Sequence, residues 1–134
     1  MAVFKDPKKL ADHIKKAMDA MQAEVLITTQ AELGSAAVSP VATGRFRSNW
    51  FAAEGSASSE TTEATNSPQT DATGLKVDSK KNYHLTNSLA YAQSIAIEGK
   101  VVAKPTTWFK DFRSSRIPKI QAEAAKQVKQ QFDL

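Results

Sequence analysis

The sequence of 134 residues contains no cysteine, few aromatic residues and no long apolar run. The missing cysteines exclude a disulfide scaffold, a thiolate metal site and a cysteine nucleophile. Since the longest apolar runs cover only a few residues, no membrane-spanning segment is expected, and the charged N-terminus does not resemble a signal peptide. Hydrophobic residues make up 41%, enough for a modest core. The length fits a single domain over residues 1–134.

Patterns that carry catalysis or metal binding are also missing. His13 and His84 have no second ligand at metal-binding spacing, and the motifs of phosphate loops and serine hydrolases are absent. We therefore expect no catalytic residue, no metal ligand and no cofactor. An enzyme is the least favoured class.

Charge is distributed unevenly along a chain whose net charge is +4. Residues 1–54 carry 7 basic and 6 acidic side chains, whereas residues 55–74 carry 3 acids and no base. Residues 75–134 carry 11 bases and 5 acids. The last part is therefore either an ordinary solvated surface or a surface that faces a negative partner, such as nucleic acid or an acidic protein.

The first part of the chain predicts one long amphipathic helix over residues 7–33. Asp6 is a good N-cap residue, and Pro7 suits the first helical turn, where its missing N–H would have no partner. Gly34 is placed to end the helix in a left-handed conformation. The apolar stripe of this helix comprises Leu10, Ile14, Met18, Met21 and Val25.

The C-terminal part predicts further helices. A short helix is favoured near residues 89–98, where the pattern fits a strand less well. Pro118 either kinks a helix that contains the nearby aromatic residues or starts a new one. A final helix is predicted over about 117–132, with an apolar stripe that comprises Ile117, Ile120, Ala124, Val128 and Phe132.

Alternating patterns between these helices predict a small antiparallel sheet of about three or four strands. Phe46 and Trp50 would face the core from one strand or from a short turn that leads into it, and two more strands would lie near residues 75–78 and 83–87. The expected fold class is therefore α+β, with the sheet packed against the long N-terminal and C-terminal helices.

Residues 55–74, the polar segment, are low in complexity. They contain no aromatic residue and no Leu, Ile, Val or Met, so they bury too little apolar area to offset the entropy of ordering. We expect a long, flexible hairpin arm that is either a passive insertion or a functional contact arm.

Basic residues surround Trp108, Phe109 and Phe112 near the C-terminus. Such a mixture can bind single-stranded nucleic acid, but at helical spacing it also describes a helix with its aromatic residues in the core, which is the favoured interpretation. The side chains that would face DNA or an acidic partner are Lys104, Lys110, Arg113, Arg116 and Lys119.

Residues 39–50, SPVATGRFRSNW, form the most specific pattern in the chain. This stretch resembles the P-V-x-T-G-R-L-R-x-S signature of the tail-completion proteins of tailed bacteriophages, also described as head–tail joining, neck or minor tail proteins. Asn87, Tyr91, Ala92 and Glu98 resemble a second segment of that family, with the spacing to the glutamate stretched. A long helix before the signature and a closing helix also resemble the family's layout.

The resemblance implies a structural virion protein of the neck, assembled in the host cytoplasm, that joins the connector or portal to the tail. It implies a ring of identical copies around the DNA channel, for which a hexamer is favoured and a dodecamer is the alternative. The implied partners are the adjacent connector or portal and the tail-tube or tail-terminator proteins, with non-specific contact to channel DNA and none to a membrane. A small basic nucleic-acid-binding protein is the alternative function.

The two arginines of the signature have two interpretations. On an extended segment Arg45 and Arg47 would point to one face, where their guanidiniums would pair with carboxylates of a neighbouring subunit. Alternatively, they cap loop carbonyls within the same chain. The predicted contact residues for a subunit or partner are Thr43, Gly44, Arg45, Arg47, Trp50, Tyr91 and Glu98.

Overall fold

The computed structural model describes residues 5–40, 44–97 and 104–134, and it begins with one long helix, α1 (Pro7–Leu33). The Asp6 side chain accepts a hydrogen bond from the Lys8 N–H at 2.9 Å, so the predicted N-cap and helix bounds are confirmed. The predicted left-handed end is wrong, because Gly34 has φ −75°. Glycine is needed there for space, since an added Cβ would lie 2.8 Å from the Cβ of Pro68.

The sheet has two antiparallel strands in the described part of the chain, β1 (Phe51–Glu54) and β2 (Tyr83–Thr86). Phe51 pairs with Thr86 at one end and Glu54 with Tyr83 at the other. The α+β class is therefore observed, but the predicted strand at 75–78 is not formed. Leu75 and Val77, two residues apart, pack against a small buried cluster. Their burial produces the alternating pattern although the stretch has no partner strand.

Helices make up most of the chain after β2. The short helix α2 (Ala92–Ala96) lies within the predicted range. The helix α3 (Trp108–Asp111) continues through a π-helical turn (Phe112–Arg116) into α4 (Ile117–Gln131), whose first turn contains Pro118. Proline is tolerated in a first turn, and the residues that join the three segments keep helical φ and ψ, so Pro118 does not begin a separate helix.

The helices α1 and α4 pack against each other and run in opposite directions. His13 near the start of α1 lies beside Phe132, with ring centroids 5.5 Å apart, whereas Glu32 near its end pairs with Arg116. The stripe of α4 faces this contact, since Ile120, Ala124 and Val128 are buried.

Aromatic residues dominate the main core, between α1, residues 46–50 and the α3–α4 helix. Phe46 contacts both Trp50 and Trp108 edge-to-face, with centroids 5.6 and 6.0 Å apart, a geometry that stabilises by about 0.5–1.5 kcal/mol a pair. The interpretation of the C-terminal aromatics as core residues is thus confirmed for Trp108 and Phe112. The buried members of this core are Leu33, Phe46, Trp50, Leu89, Trp108, Phe112 and Ile120.

Candidate functional site

The signature residues 44–50 form a tight turn that leads into β1, which is the second of the two interpretations that the sequence allowed. Gly44 has φ +86°, and a 3₁₀ turn (Arg47–Asn49) follows. Short side chains satisfy carbonyls within the turn, since Ser48 Oγ donates to Gly44 O at 2.8 Å and Asn49 Nδ2 donates to Arg45 O at 2.7 Å. Local hydrogen bonds of this kind compete with a strand ladder. Arg45 and Arg47 therefore do not share the face of a strand.

The same turn holds the polar segment against the body of the protein. Asn49 is fully buried and pairs with Thr62 in both directions: its Nδ2 donates to Thr62 O at 3.0 Å, and its Oδ1 accepts from Thr62 N at 2.8 Å. Arg45 Nε also donates to Thr62 O, at 3.2 Å. The predicted arm thus runs along the signature turn, and its flexibility stays a prediction.

Two further contacts hold the later part of the polar segment. Ser48 Oγ accepts from the Ser67 N–H at 3.0 Å. Arg47 donates from Nη1 to Gly34 O at 3.1 Å and from Nη2 to the side-chain oxygen of Asn66. Both arginines of the signature are therefore bonded to oxygen atoms of the same chain, as the second interpretation required. Pairing with a neighbouring subunit stays a prediction.

A buried polar contact between α1 and the polar segment was missed by the sequence reasoning. Gln30, only 2% exposed, donates from Nε2 to Trp50 O at 3.0 Å and to the carboxylate of Asp71. Its Oε1 accepts from the Ala72 N–H at 3.0 Å. Asp71 also accepts from the Ala52 N–H at 3.2 Å. The sequence signal is weak, because it consists of one glutamine on a buried helix face and one acid in a polar stretch.

The five predicted basic side chains lie in different environments. Arg116 makes two hydrogen bonds of 2.7 Å to the carboxylate of Glu32, so its charge is paired within the chain. Arg113 lies over the ring of Phe109, 5.2 Å from its centroid. Lys110 is exposed and forms no ion pair with a described residue.

The other two lysines border an open cavity of about 430 Å³ between the loop after α1 and the α3–α4 helix, which we call the basic cavity. Trp108 and Phe112 contribute to its lining. Lys104 donates to Ala37 O at 2.8 Å, whereas Lys119 is exposed and has no ion pair among the described residues. The cavity border therefore carries two ammonium groups, and Glu32, Asp111 and Arg116 share its lining.

The remaining predicted contact residues lie in different environments. Trp50 is 4% exposed and its indole N–H donates to Ser39 Oγ at 3.2 Å, so it belongs to the core and not to an exposed contact surface. Tyr91 is 39% exposed and accessible to a partner. Thr43 and Glu98 lie outside the described residues.

The first half of the α1 apolar stripe is left open to solvent. Leu10, Ile14 and Met18 are 39%, 41% and 53% exposed. Met18 also borders a groove of about 460 Å³, in which Thr29 Oγ1 and Ser79 Oγ have no hydrogen-bond partner among the described residues. The apolar lining of the groove includes Met21, Val25, Leu26, Tyr83, Leu85 and Ile117. The stripe and the groove together form one surface, which we call the apolar surface.

A charged cluster ties α1 to the turn before β2. Lys15 Nζ lies 2.7 Å from an oxygen of Asp19 and 2.9 Å from an oxygen of Asp78, and the Ser79 N–H donates to Asp19 at 2.8 Å. The hydrogen bonds from Lys15 and from Ser79 lower the pKa of Asp19 from 3.8 to about 2. Hydrogen bonds from the Lys80 N–H and from Lys15 also lower the pKa of Asp78.

No family model, no curated protein and no solved structure matches this chain. Within residues 5–40, 44–97 and 104–134, no three histidine or carboxylate side chains lie close enough to hold a metal ion. Nor does any helix in those ranges have the length and apolarity needed to cross a membrane. The likeness of residues 39–50 to phage tail-completion proteins therefore rests on the sequence pattern.

Proposed function

We propose that this chain is a non-enzymatic structural subunit at the head–tail interface of a tailed phage. Identical copies form a closed ring around the DNA channel, with six copies favoured over twelve, and join the connector or portal to the tail. The phage assignment is supported by the sequence resemblance within residues 39–50 and 87–99. The assembly assignment is supported by the apolar surface of α1.

The uncovered apolar surface is the observation that carries the proposal. Leu10, Ile14 and Met18 follow one another at a spacing of one helical turn, so they form a continuous ridge on α1. Each Å² of apolar area removed from water contributes about 25 cal/mol, and a contiguous exposed patch is typical of a protein contact site. In a ring, a neighbouring copy covers this apolar surface.

The alternative, a small nucleic-acid-binding protein, is less well supported. Base stacking requires exposed aromatic rings, whereas Trp108 and Phe112 are each 6% exposed. Arg116 is also engaged by Glu32 and is not a free cation for phosphate.

The first prediction is that the purified chain forms rings and that Ile14→Glu combined with Met18→Glu disperses them into monomers. The two side chains are 41% and 53% exposed in the single chain, so we expect the variant to keep its fold while two carboxylates enter the contact. Mass photometry measures assembly, and circular dichroism checks the fold. As a control, Ala122→Glu combined with Gln127→Glu adds the same charge at exposed positions of α4 and leaves the rings intact.

A chain that stays monomeric at every concentration and is absent from purified phage particles would contradict the proposal. A monomer that binds short DNA, with an affinity that falls steeply as salt rises, would favour the nucleic-acid alternative instead.

A further inference from the structure

The unpaired charges of opposite sign lie on two different parts of the surface. Glu60 and Glu63 of the polar segment are exposed and form no ion pair with a described residue. Lys119 also forms no ion pair with a residue that the structure describes, and Lys104 uses one of its three donors on a backbone carbonyl. Over residues 5–40, 44–97 and 104–134, the chain therefore carries an acidic surface and a basic surface whose charges form no ion pair.

The backbone around Glu60 and Glu63 is held by hydrogen bonds to other parts of the chain. Glu60 lies between two residues whose backbone is held by hydrogen bonds. Ser88 Oγ donates to Ser58 O at 2.8 Å, and the side chain of Asn49 bonds both the N–H and the C=O of Thr62. Glu63 follows directly after Thr62. Because the backbone is already held, a partner that pairs with these carboxylates loses less conformational entropy on binding.

The basic cavity is a concave surface that is open to solvent. It holds about 430 Å³, with Trp108 and Phe112 in its lining and Lys104 and Lys119 at its border. The acids in the lining are already engaged, because Glu32 is bonded to Arg116 and Asp111 accepts from the Thr107 hydroxyl at 2.9 Å. The π-helical turn Phe112–Arg116 also borders this cavity, and such turns are frequent at functional sites.

We propose that the polar segment of one copy docks on the basic cavity of the next copy, with Glu60 and Glu63 pairing with Lys104 and Lys119. The inference rests on the proposed function, since it assigns the partner within the ring. The contact joins two different patches of the chain, one on each of two neighbouring copies. Such a heterologous contact forms a closed ring when the rotations between successive copies add up to a full turn. A protein segment with two carboxylates fits better than DNA, because Arg116 in the lining is already paired with Glu32, which leaves Lys104 and Lys119 to match the two charges of the segment.

Two charge-reversal variants test this contact. Glu60→Lys with Glu63→Lys makes the polar segment basic, and Lys104→Glu with Lys119→Glu makes the cavity border acidic. We expect each variant alone to assemble at about tenfold higher concentration than the parent chain, since two exposed ion pairs are lost and replaced by repulsion. Mass photometry over a concentration series measures this shift, which shrinks as salt is added.

Mixing the two variants in equal amounts is the decisive measurement. In an even-numbered ring that alternates them, every basic segment meets an acidic cavity and every acidic segment meets a basic cavity. We therefore expect the mixture to assemble at the concentration of the parent chain. Lys126→Glu with Lys129→Glu, at exposed positions of α4, makes the same change in net charge as the cavity variant and leaves assembly unchanged.

Unchanged assembly of either single variant would overturn the docking, and so would a mixture that does not recover. Where a reversal variant loses its fold by circular dichroism, Glu60→Gln with Glu63→Gln and Lys104→Gln with Lys119→Gln replace it, and each is expected to weaken assembly several-fold. Duplex DNA binding that is lost in the cavity variant while assembly persists would assign this surface to nucleic acid and overturn the docking. If the parent chain forms rings and the variants assemble at the same concentration as the parent, only the docking is contradicted. If the parent chain stays monomeric, the proposed function is contradicted as well.

Discussion

Gly44 shows how strongly one residue position is constrained in this fold. Its φ of +86° is unfavourable for other residues by about 1–2 kcal/mol, and an added Cβ would lie 1.7 Å from Thr65 O. We expect Gly44→Ala to lower the free energy of unfolding by about 2 kcal/mol or more. We also expect faster cleavage at Glu60 and Glu63 by a glutamate-specific protease, because the backbone at Thr65 has to move. Urea unfolding and limited proteolysis measure the two effects.

Gly55 is the matched control for this substitution. It has φ +82°, but an added Cβ there meets no atom within 4 Å. Gly55→Ala is therefore expected to show only the conformational cost and to leave the protease cleavage unchanged. Equal effects of the two substitutions would contradict the close approach assigned to Gly44.

At the scale of elements, Gln30 joins α1 to Trp50, the residue before β1, and to the 3₁₀ turn Asp71–Gly74. Gln30→Leu would leave the Ala72 N–H and the Asp71 carboxylate with fewer partners in a buried place. We expect a loss of about 2–3 kcal/mol in the free energy of unfolding, measured by urea denaturation. Gln127→Leu, at an exposed position of α4, is expected to change it by less than about 0.5 kcal/mol. Equal effects would show that Gln30 does not connect these elements.

At the scale of the whole molecule, stability is expected to fall in acid through the cluster of Lys15, Asp19 and Asp78. The folded pKa of Asp19, about 2, lies below its ordinary value of 3.8, so the unfolded chain takes up the proton first as the pH falls. The stabilisation is therefore complete at neutral pH and is lost as the pH falls through 3.8 towards about 2.

Thermal unfolding measured between neutral and strongly acidic pH checks this dependence. We expect Asp19→Asn to be less stable than the parent chain at neutral pH and to lose less stability in acid. Asp12→Asn, at an exposed position of α1, keeps the parent's dependence. A parent-like acid profile in the Asp19 variant would place the titrating groups elsewhere.

Local patterns predicted the helices well and the sheet less well. The bounds of α1 and the first turn of α4 followed from Asp6, Pro7 and Pro118, because caps and prolines act within a few residues. The stretch 75–78 was misread as a strand, because alternate burial arises equally when an extended segment packs on a helix and a turn. For the signature residues the sequence left a strand and a turn into a strand open, since alternation around Phe46 does not reveal the side-chain bonds of Ser48 and Asn49 that form the turn.

The sequence by itself determined the α+β class, the long helices and the core position of the aromatic residues, because helix caps and hydrophobic periodicity are local properties. Only the tertiary structure decided that the signature turn holds the polar segment, that Gln30 meets Asp71, and that half of the α1 stripe stays exposed. Each of these depends on which distant residues come into contact. A hydrogen bond or a covered apolar face requires a partner within a few ångströms, and that partner is chosen by the packing of the whole chain.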